Sequence, residues 1–439
     1  MKGKFKNTSK NSRDSRKLRS RNYLHSNNHK KIFIPGFLLI VFIAVGLSLF
    51  YIVNNTSSNN ISTIDDVNKE TIELPNINTE EINTTNNEIE TKKKEPITFK
   101  LASIGDIMCN DTQFKDAYEA DSDTYDFNYI FDDIKYYTST ADITVGNLET
   151  CFGGVELGYS NYPKFNTPDA LAYSLKKIGI DVISTASNHS LDMNYSGLSR
   201  TINVLDHADI SHTGTFTSQE SRDTILYKYV KGIKIAFISY TYGTNTIPIP
   251  EDKSYCVNLI DKNLILQDIN RAKEGGAEFI ISCMHWGDEY MLTVNNEQKE
   301  LANFLFQNGV DVILGNHPHV TQPMEQKTVT LADGTTKDCF VIYSVGNFIG
   351  DQRYSHTRSS VILNLSITKN IDDSFSIQKV EYLPIYMYKD TSLSSQKMSL
   401  IDINTSIKDY ETNPNSTINQ NLYNTIKSEL KHLQTILGE

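Results

Sequence analysis

Cysteine is scarce in this chain, with five in 439 residues, and no two of them form a C-x-x-C pair. The count is odd, so neither a disulfide framework nor a thiolate zinc site follows. Cys283 lies inside an apolar run and reads as a core residue. Positive charge is also scarce once the first 31 residues are set aside. Those carry eleven Lys or Arg and one acidic residue, a net of +10, whereas the remaining 408 residues carry −21. An acidic folded part with only a short basic tail argues against nucleic acid as a partner. There is no internal repeat. A long uncharged apolar run occurs once, at Ile32–Val53.

That run is 22 residues long and follows the basic tail of residues 1–31. At about 1.5 Å per residue it can cross a hydrocarbon core of about 30 Å. The positive flank is expected to stay in the cytoplasm, which places residues 54–439 outside the cell. A cleaved signal peptide is the alternative. Its apolar region is shorter and ends in a small-x-small site, whereas this run ends Phe50-Tyr51-Ile52-Val53. The expected localisation is the cell membrane, crossed once, with the main domain extracellular. The membrane is then itself a partner, and the basic tail can lie against anionic lipid.

Residues 54–96 are rich in Asn, Thr, Ser, Ile and Glu and keep no period of 2 or 3.6, which predicts a disordered tether. A folded domain is expected over 97–390, where strand-like and helix-like segments alternate. Such alternation means an α/β domain with a layered sheet. Residues 391–415 read as a polar loop. Asn419–Leu437 reads as an amphipathic helix with Leu422, Ile426, Leu430, Leu433 and Ile436 on one face. That helix could dock on the domain or stand alone.

Five apolar, β-branched runs end in the same way, at a cluster of Asp, Asn, Glu or His. They are FKLASIGD (99–106), ITVGNLE (143–149), VISTASNH (182–189), FIISCMH (279–285) and VDVILGNHPH (310–319). A parallel sheet places its strand ends on one edge, where open α/β folds carry their sites. Asp106 closes the first run. Asn147 and Glu149 are two apart, so in extended structure both face one side. Asn188 and His189 offer a carbonyl beside an imidazole, and Asp192 is placed to orient that imidazole. His285 closes a buried run and is followed by Glu289. His317 and His319 flank Pro318, which stiffens the turn that presents them. Asn347 follows a last strand-to-loop signal, and Arg353 lies beyond it as a cation for an anionic substrate or as a surface residue. This mixed O/N donor set suits one or two divalent ions of Mn, Fe or Zn. His189 is then the candidate general acid.

In this order the motifs resemble the CapA (poly-γ-glutamate capsule synthesis) family. They are Gly105-Asp106, Asn147-x-Glu149, Asn188-His189-x-x-Asp192, His285-Trp286-Gly287-x-Glu289-Tyr290, His317-Pro318-His319-Val320 and Tyr343-Ser344-x-Gly346-Asn347-Phe348. The resemblance implies a calcineurin-like metallophosphoesterase fold, a layered β-sandwich flanked by helices. It implies metal ligation by Asp106, Asn147, Glu149, Asn188, His285, His317 and His319. It also implies that Met108 stands where the wider superfamily has a His, leaving one metal position a ligand short. The function implied is assistance in the synthesis, export or attachment of an anionic polymer such as poly-γ-glutamate, alongside membrane subunits of a polymer synthase. A metal-dependent phosphoesterase acting on a phosphorylated wall polymer or nucleotide, and a non-enzymatic assembly factor, are the alternatives.

Overall fold

A computed structural model describes residues 94–438, which belong to one compact unit. The basic tail, the apolar run at 32–53 and residues 54–93 of the expected tether lie outside the described residues. No helix among the described residues is long and apolar enough to cross a membrane.

The strands are, in chain order, β1 (Ile97–Ile107), β2 (Tyr118–Glu119), β3 (Thr124–Tyr125), β4 (Ile143–Leu148), β5 (Val182–Ser184), β6 (Ser211–Thr213), β7 (Leu226–Val230) and β8 (Ile233–Thr241). They continue as β9 (Phe279–His285), β10 (Val312–Asn316), β11 (Met324–Thr330), β12 (Thr336–Ile342), β13 (Asn347–Ile349), β14 (Ser359–Lys369), β15 (Phe375–Lys389) and β16 (Met398–Asp402). Two large sheets result. One runs β16-β15-β14-β1-β4-β5-β6, with β13 also paired to β1; the other runs β11-β12-β10-β9-β8-β7.

Period-2 alternation builds the layers. On β8, Ile235 and Phe237 point into a core shared with Phe99, Leu101, Ile143 and Val145 of the first sheet. Ala236, Ile238 and Tyr240 point the other way, onto a second core with Ile265, Ile269, Leu301 and Leu305 of helices Lys262–Glu274 and Asn296–Gln307. The outer face of the first sheet is covered by Leu171 and Leu175 of helix Ala170–Lys177 and by Val204 and Leu205 of helix Asn194–His207. Helix, sheet, sheet, helix is therefore the layer order; the alternating pattern predicted a layered α/β domain, and two sheets flanked by helices are what the family resemblance implied.

The segment read as a polar loop at 391–415 differs from that reading. It contains β16, antiparallel to β15, and a helix at Ile403–Thr412. Met398 and Leu400 bury on one side of the sheet and Ile401 on the other. Asp402 Oδ1 caps the helix by accepting from the backbone N–H groups of Asn404 and Thr405 at 2.9 and 3.2 Å. The apolar stretch is five residues long and set among polar ones, too short for a periodic signal. The last helix, Gln420–Leu437, docks on the domain: Leu422, Ile426, Leu433 and Leu437 are buried in the core between the sheets.

Strands β1, β4, β5 and β6 run parallel in one sheet, and β8, β9, β10 and β12 do so in the other. Register brings their ends side by side. Asp106 is opposite both Asn147 and Asn347, and His285 is opposite both Asn316 and Thr241. Two glycines permit this closeness. A Cβ at Gly105 would sit 1.7 Å from the Gly346 carbonyl oxygen, and one at Gly315 would sit 2.0 Å from that of Tyr343.

Candidate metal centre

Asp106, Asn147, Glu149, Asn188, His189, Asp192, His285, His317 and His319 are all buried. The strand ends gather seven of them around one point. Ligand atoms of Glu149, His317 and His319 lie within 4.8 Å of one another, and so do those of Asp106, Glu149 and His285. Glu149 is common to both groups.

Hydrogen bonds fix most of these side chains. Asn147 Nδ2 donates to Asp106 Oδ1 at 2.8 Å and lies 3.2 Å from His285 Nδ1, while Asn147 Oδ1 accepts from Ser184 Oγ at 2.8 Å. His285 Nε2 lies 2.7 Å from Asn188 Oδ1. Since Asn147 Nδ2 can only donate, His285 here carries its proton on Nε2. The His317 N–H donates to Asp106 Oδ2 at 3.1 Å. His317 and His319 both take positive φ, 98° and 61°, which costs on the order of 1–3 kcal/mol per residue and fits a loop held in place for its side chains.

Glu149 is different. Neither of its carboxylate oxygens accepts from an N–H or a hydroxyl, its one side-chain hydrogen-bond neighbour being the Asp106 carboxyl, and His317 Nδ1 has no partner. A buried carboxylate left in that state is costly unless a cation shares the site. Burial pushes the Glu149 carboxyl up to about 8 and also raises Asp106, with the neighbouring Glu149 charge adding to the latter. Burial pulls the His319 imidazole down to about 3 and holds His285 and His317 well below the usual range. The contacts of His285 and His319 with Glu149, at 3.6 and 3.7 Å, are therefore not ion pairs between charged groups. Neutral imidazoles facing the adjacent carboxyl groups of Asp106 and Glu149, the latter without an N–H or hydroxyl donor, form a donor set that fits a divalent cation.

His189 stands apart from this group. Its Nδ1 lies 2.7 Å from Asp192 Oδ2, which also accepts from the Phe165 N–H at 2.6 Å. The Phe165 ring meets the imidazole edge-on, with ring centroids 4.7 Å apart. Burial lowers the His189 pKa, but the hydrogen bond and charge of Asp192, with the charges of Glu149 and Glu289, outweigh it, and the net shift is upward. Its other nitrogen, Nε2, lies 3.4 Å from Asn245 Nδ2, and His189, Asn245 and Glu289 all border a cleft of about 360 Å³.

The remaining sequence candidates fall elsewhere. Asn347 is buried, and its polar atoms serve the fold: Oδ1 faces His319 Nδ1 at 3.0 Å, and Nδ2 donates to Gln352 Oε1 and the Thr357 carbonyl. It thereby sets the His319 tautomer and leaves Nε2 toward Glu149. Arg353 is exposed. Met108 is buried, its N–H bonded to the Ile349 carbonyl. Sequence reasoning missed Tyr242, whose ring lies parallel to His285 at 6.3 Å and tilted over His317 at 4.5 Å. β8 is a further apolar strand ending at the same edge, but it stops at Thr241-Tyr242, with no Asp, Asn, Glu or His to mark it. Tyr290, the last residue of the motif that begins at His285, packs on His319 with ring centroids 5.7 Å apart.

A family model described as bacterial capsule synthesis protein PGA_cap matches residues 100–352. The chain belongs to that family. Every residue of the centre lies within the PGA_cap match. Among curated relatives, the chain is 25% identical over 288 residues to the capsule biosynthesis protein CapA of Bacillus anthracis, covering 64% of this chain and 66% of that one. It is 28% identical over 227 residues to the PGA biosynthesis protein CapA of Bacillus subtilis (strain 168), covering 52% and 56%. The match thus spans somewhat under two thirds of one relative and little more than half of the other. Among solved structures, the NAD nucleotidase of Haemophilus influenzae is similar at 12% identity and TM-score 0.43, covering 78% of this chain and 61% of that one. The calcineurin-like phosphoesterase YfkN of Bacillus subtilis is similar at 16% identity and TM-score 0.39, covering 78% and 99%. At such scores the sheet order given above remains the better description of this PGA_cap fold.

Proposed function

We propose that this PGA_cap protein assists the synthesis, export or attachment of an anionic capsule polymer of the poly-γ-glutamate type from the outer face of the cell membrane. In this reading Ile32–Val53 is the anchor, the polymer is the substrate and membrane subunits of a polymer synthase are the partners. The site is a metal-dependent hydrolase-like centre that cleaves an amide or ester of the polymer. The observation that carries the proposal is Glu149, buried, without an N–H or hydroxyl donor and shared between two groups of ligands.

Asp106, Glu149, His285, His317 and His319 would hold the ion, with Asn147 and Asn188 beside them. When bound, a divalent ion supplies Lewis acidity to the group under attack. The chain supplies the proton. His189 Nδ1 is held by Asp192, which leaves Nε2, beside Asn245 in a residue that borders the cleft, as the nitrogen to carry a proton for the leaving group, and the upward shift favours that protonated form. Asp192 fixes the ring and stabilises its charged form.

The test is turnover of poly-γ-glutamate by the Mn²⁺-treated chain, followed as newly released amino groups. His189→Ala is expected to abolish turnover while metal is retained. Unchanged turnover in that variant would remove the assigned role. Absence of release by the wild-type chain, with release of phosphate from an aryl phosphate, would replace the polymer hydrolase by a phosphoesterase.

A further inference from the structure

The cleft beside His189 is lined by two exposed side chains of opposite charge, Lys164 and Glu289, together with Asn188, Asp192 and Asn245. Lys164 and Glu289 form no ion pair with each other, and the Lys164 ammonium is bound by no other side chain among the described residues. Glu289 is close enough to the centre for its charge to act on Glu149, His189 and Tyr242. A carboxylate in that position opposes an approaching polyanion. It favours a ligand that brings a positive charge to the same end as a negative one.

A γ-linked glutamyl chain has one residue of that kind. Interior residues carry an α-carboxylate and an amide nitrogen, and so are purely anionic. Only the amino-terminal residue keeps an α-ammonium and an α-carboxylate on the same carbon. We propose that the cleft lined by Lys164 and Glu289 binds the free amino-terminal residue of the polymer, Lys164 taking its α-carboxylate and Glu289 its α-ammonium. The inference rests on the hydrolase reading above and gives it a direction: the chain is read from its end. Repulsion between the acidic surface and the body of the polymer is then limited to the few residues that enter.

The experiment measures binding of short synthetic γ-glutamyl oligomers to the full-length chain treated with Mn²⁺, with the amino end free or acetylated. A diaminopimelate-containing wall peptide, which ends in the same ammonium–carboxylate pair, is measured in parallel with its amine free or acetylated. The free-ended oligomer is expected to bind about tenfold more tightly than the acetylated one, the scale of one charge-assisted hydrogen bond. Glu289→Gln should remove that discrimination, and Lys164→Ala should weaken both oligomers. Both residues are exposed, so neither change threatens folding. Equal binding of free and acetylated oligomers would overturn the cleft assignment and leave the polymer reading standing. Amine-dependent binding of the wall peptide alone would keep the cleft's chemistry and overturn the polymer as its source. No binding of any probe would overturn both.

Discussion

Asn147 Nδ2 donates to Asp106 Oδ1 at 2.8 Å, joining two residues that face each other across neighbouring parallel strands. The same nitrogen reaches His285 of the other sheet. One amide therefore ties the two sheets together at the centre of the ligand edge.

Replacing Asn147 by Ala leaves Asp106 Oδ1, His285 Nδ1 and Ser184 Oγ without that partner in a dry site. A loss of about 1–3 kcal/mol is expected, with weaker metal retention. Denaturant unfolding with and without Mn²⁺ reads both effects. Asn147→Asp keeps the shape but adds a carboxylate, and should bind metal more tightly than Asn147→Ala.

Without metal, stability should fall as pH rises, and the stabilisation gained from metal should grow. Glu149 stands at about 8 in the folded chain against an ordinary 4.5. Between those values the folded state holds a proton that the unfolded state has released. The contribution is full below about 4.5 and is lost as pH rises through about 8. The chelator-treated chain should therefore melt at lower temperature at pH 8.5 than at pH 6, other groups being equal. Metal binding needs the deprotonated carboxylate, so the gain in melting temperature from Mn²⁺ should grow over the same range. A gain independent of pH would remove Glu149 from the ligand set.

Gly105→Ala should prevent folding or lower stability by more than about 3 kcal/mol, the scale of strong overpacking. The added methyl would lie 1.7 Å from the carbonyl oxygen of Gly346, the residue before β13. Soluble yield and thermal unfolding report the outcome. A variant that folds and melts like the wild type would show that β1 and β13 can separate.

The last helix should behave as part of the core. Ile426→Ala and Leu433→Ala remove fully buried side chains and should each cost about 2–5 kcal/mol. Unfolding should remain a single transition in both variants. A separate early transition of the helix would show that it is only loosely attached.

Much of the ligand edge was legible because parallel strands end together and each apolar run stops at a residue able to bind metal. Asp106, Glu149, His285, His317 and His319 could be named from those endings alone. Tyr242 could not, since a tyrosine after a strand carries no ligand signal and its position over His285 and His317 arises only when the two sheets meet. Asn347 was visible as a strand-end residue, but its bond to His319 spans 28 positions in sequence and depends on β13 lying beside β1. The strand and helix at 398–412 were hidden for another reason: their stability comes from pairing with β15 and from the Asp402 cap, not from a long periodic pattern.

The central claim, that this edge is a metal centre organised by Glu149, is tested most directly by the metal content of the purified full-length chain after exposure to Mn²⁺ or Zn²⁺ and removal of free ion. The wild-type chain is expected to retain at least one ion per molecule and to melt at higher temperature with it, whereas Glu149→Ala retains markedly less. A wild-type chain that holds no ion and gains no stability from either metal would contradict it.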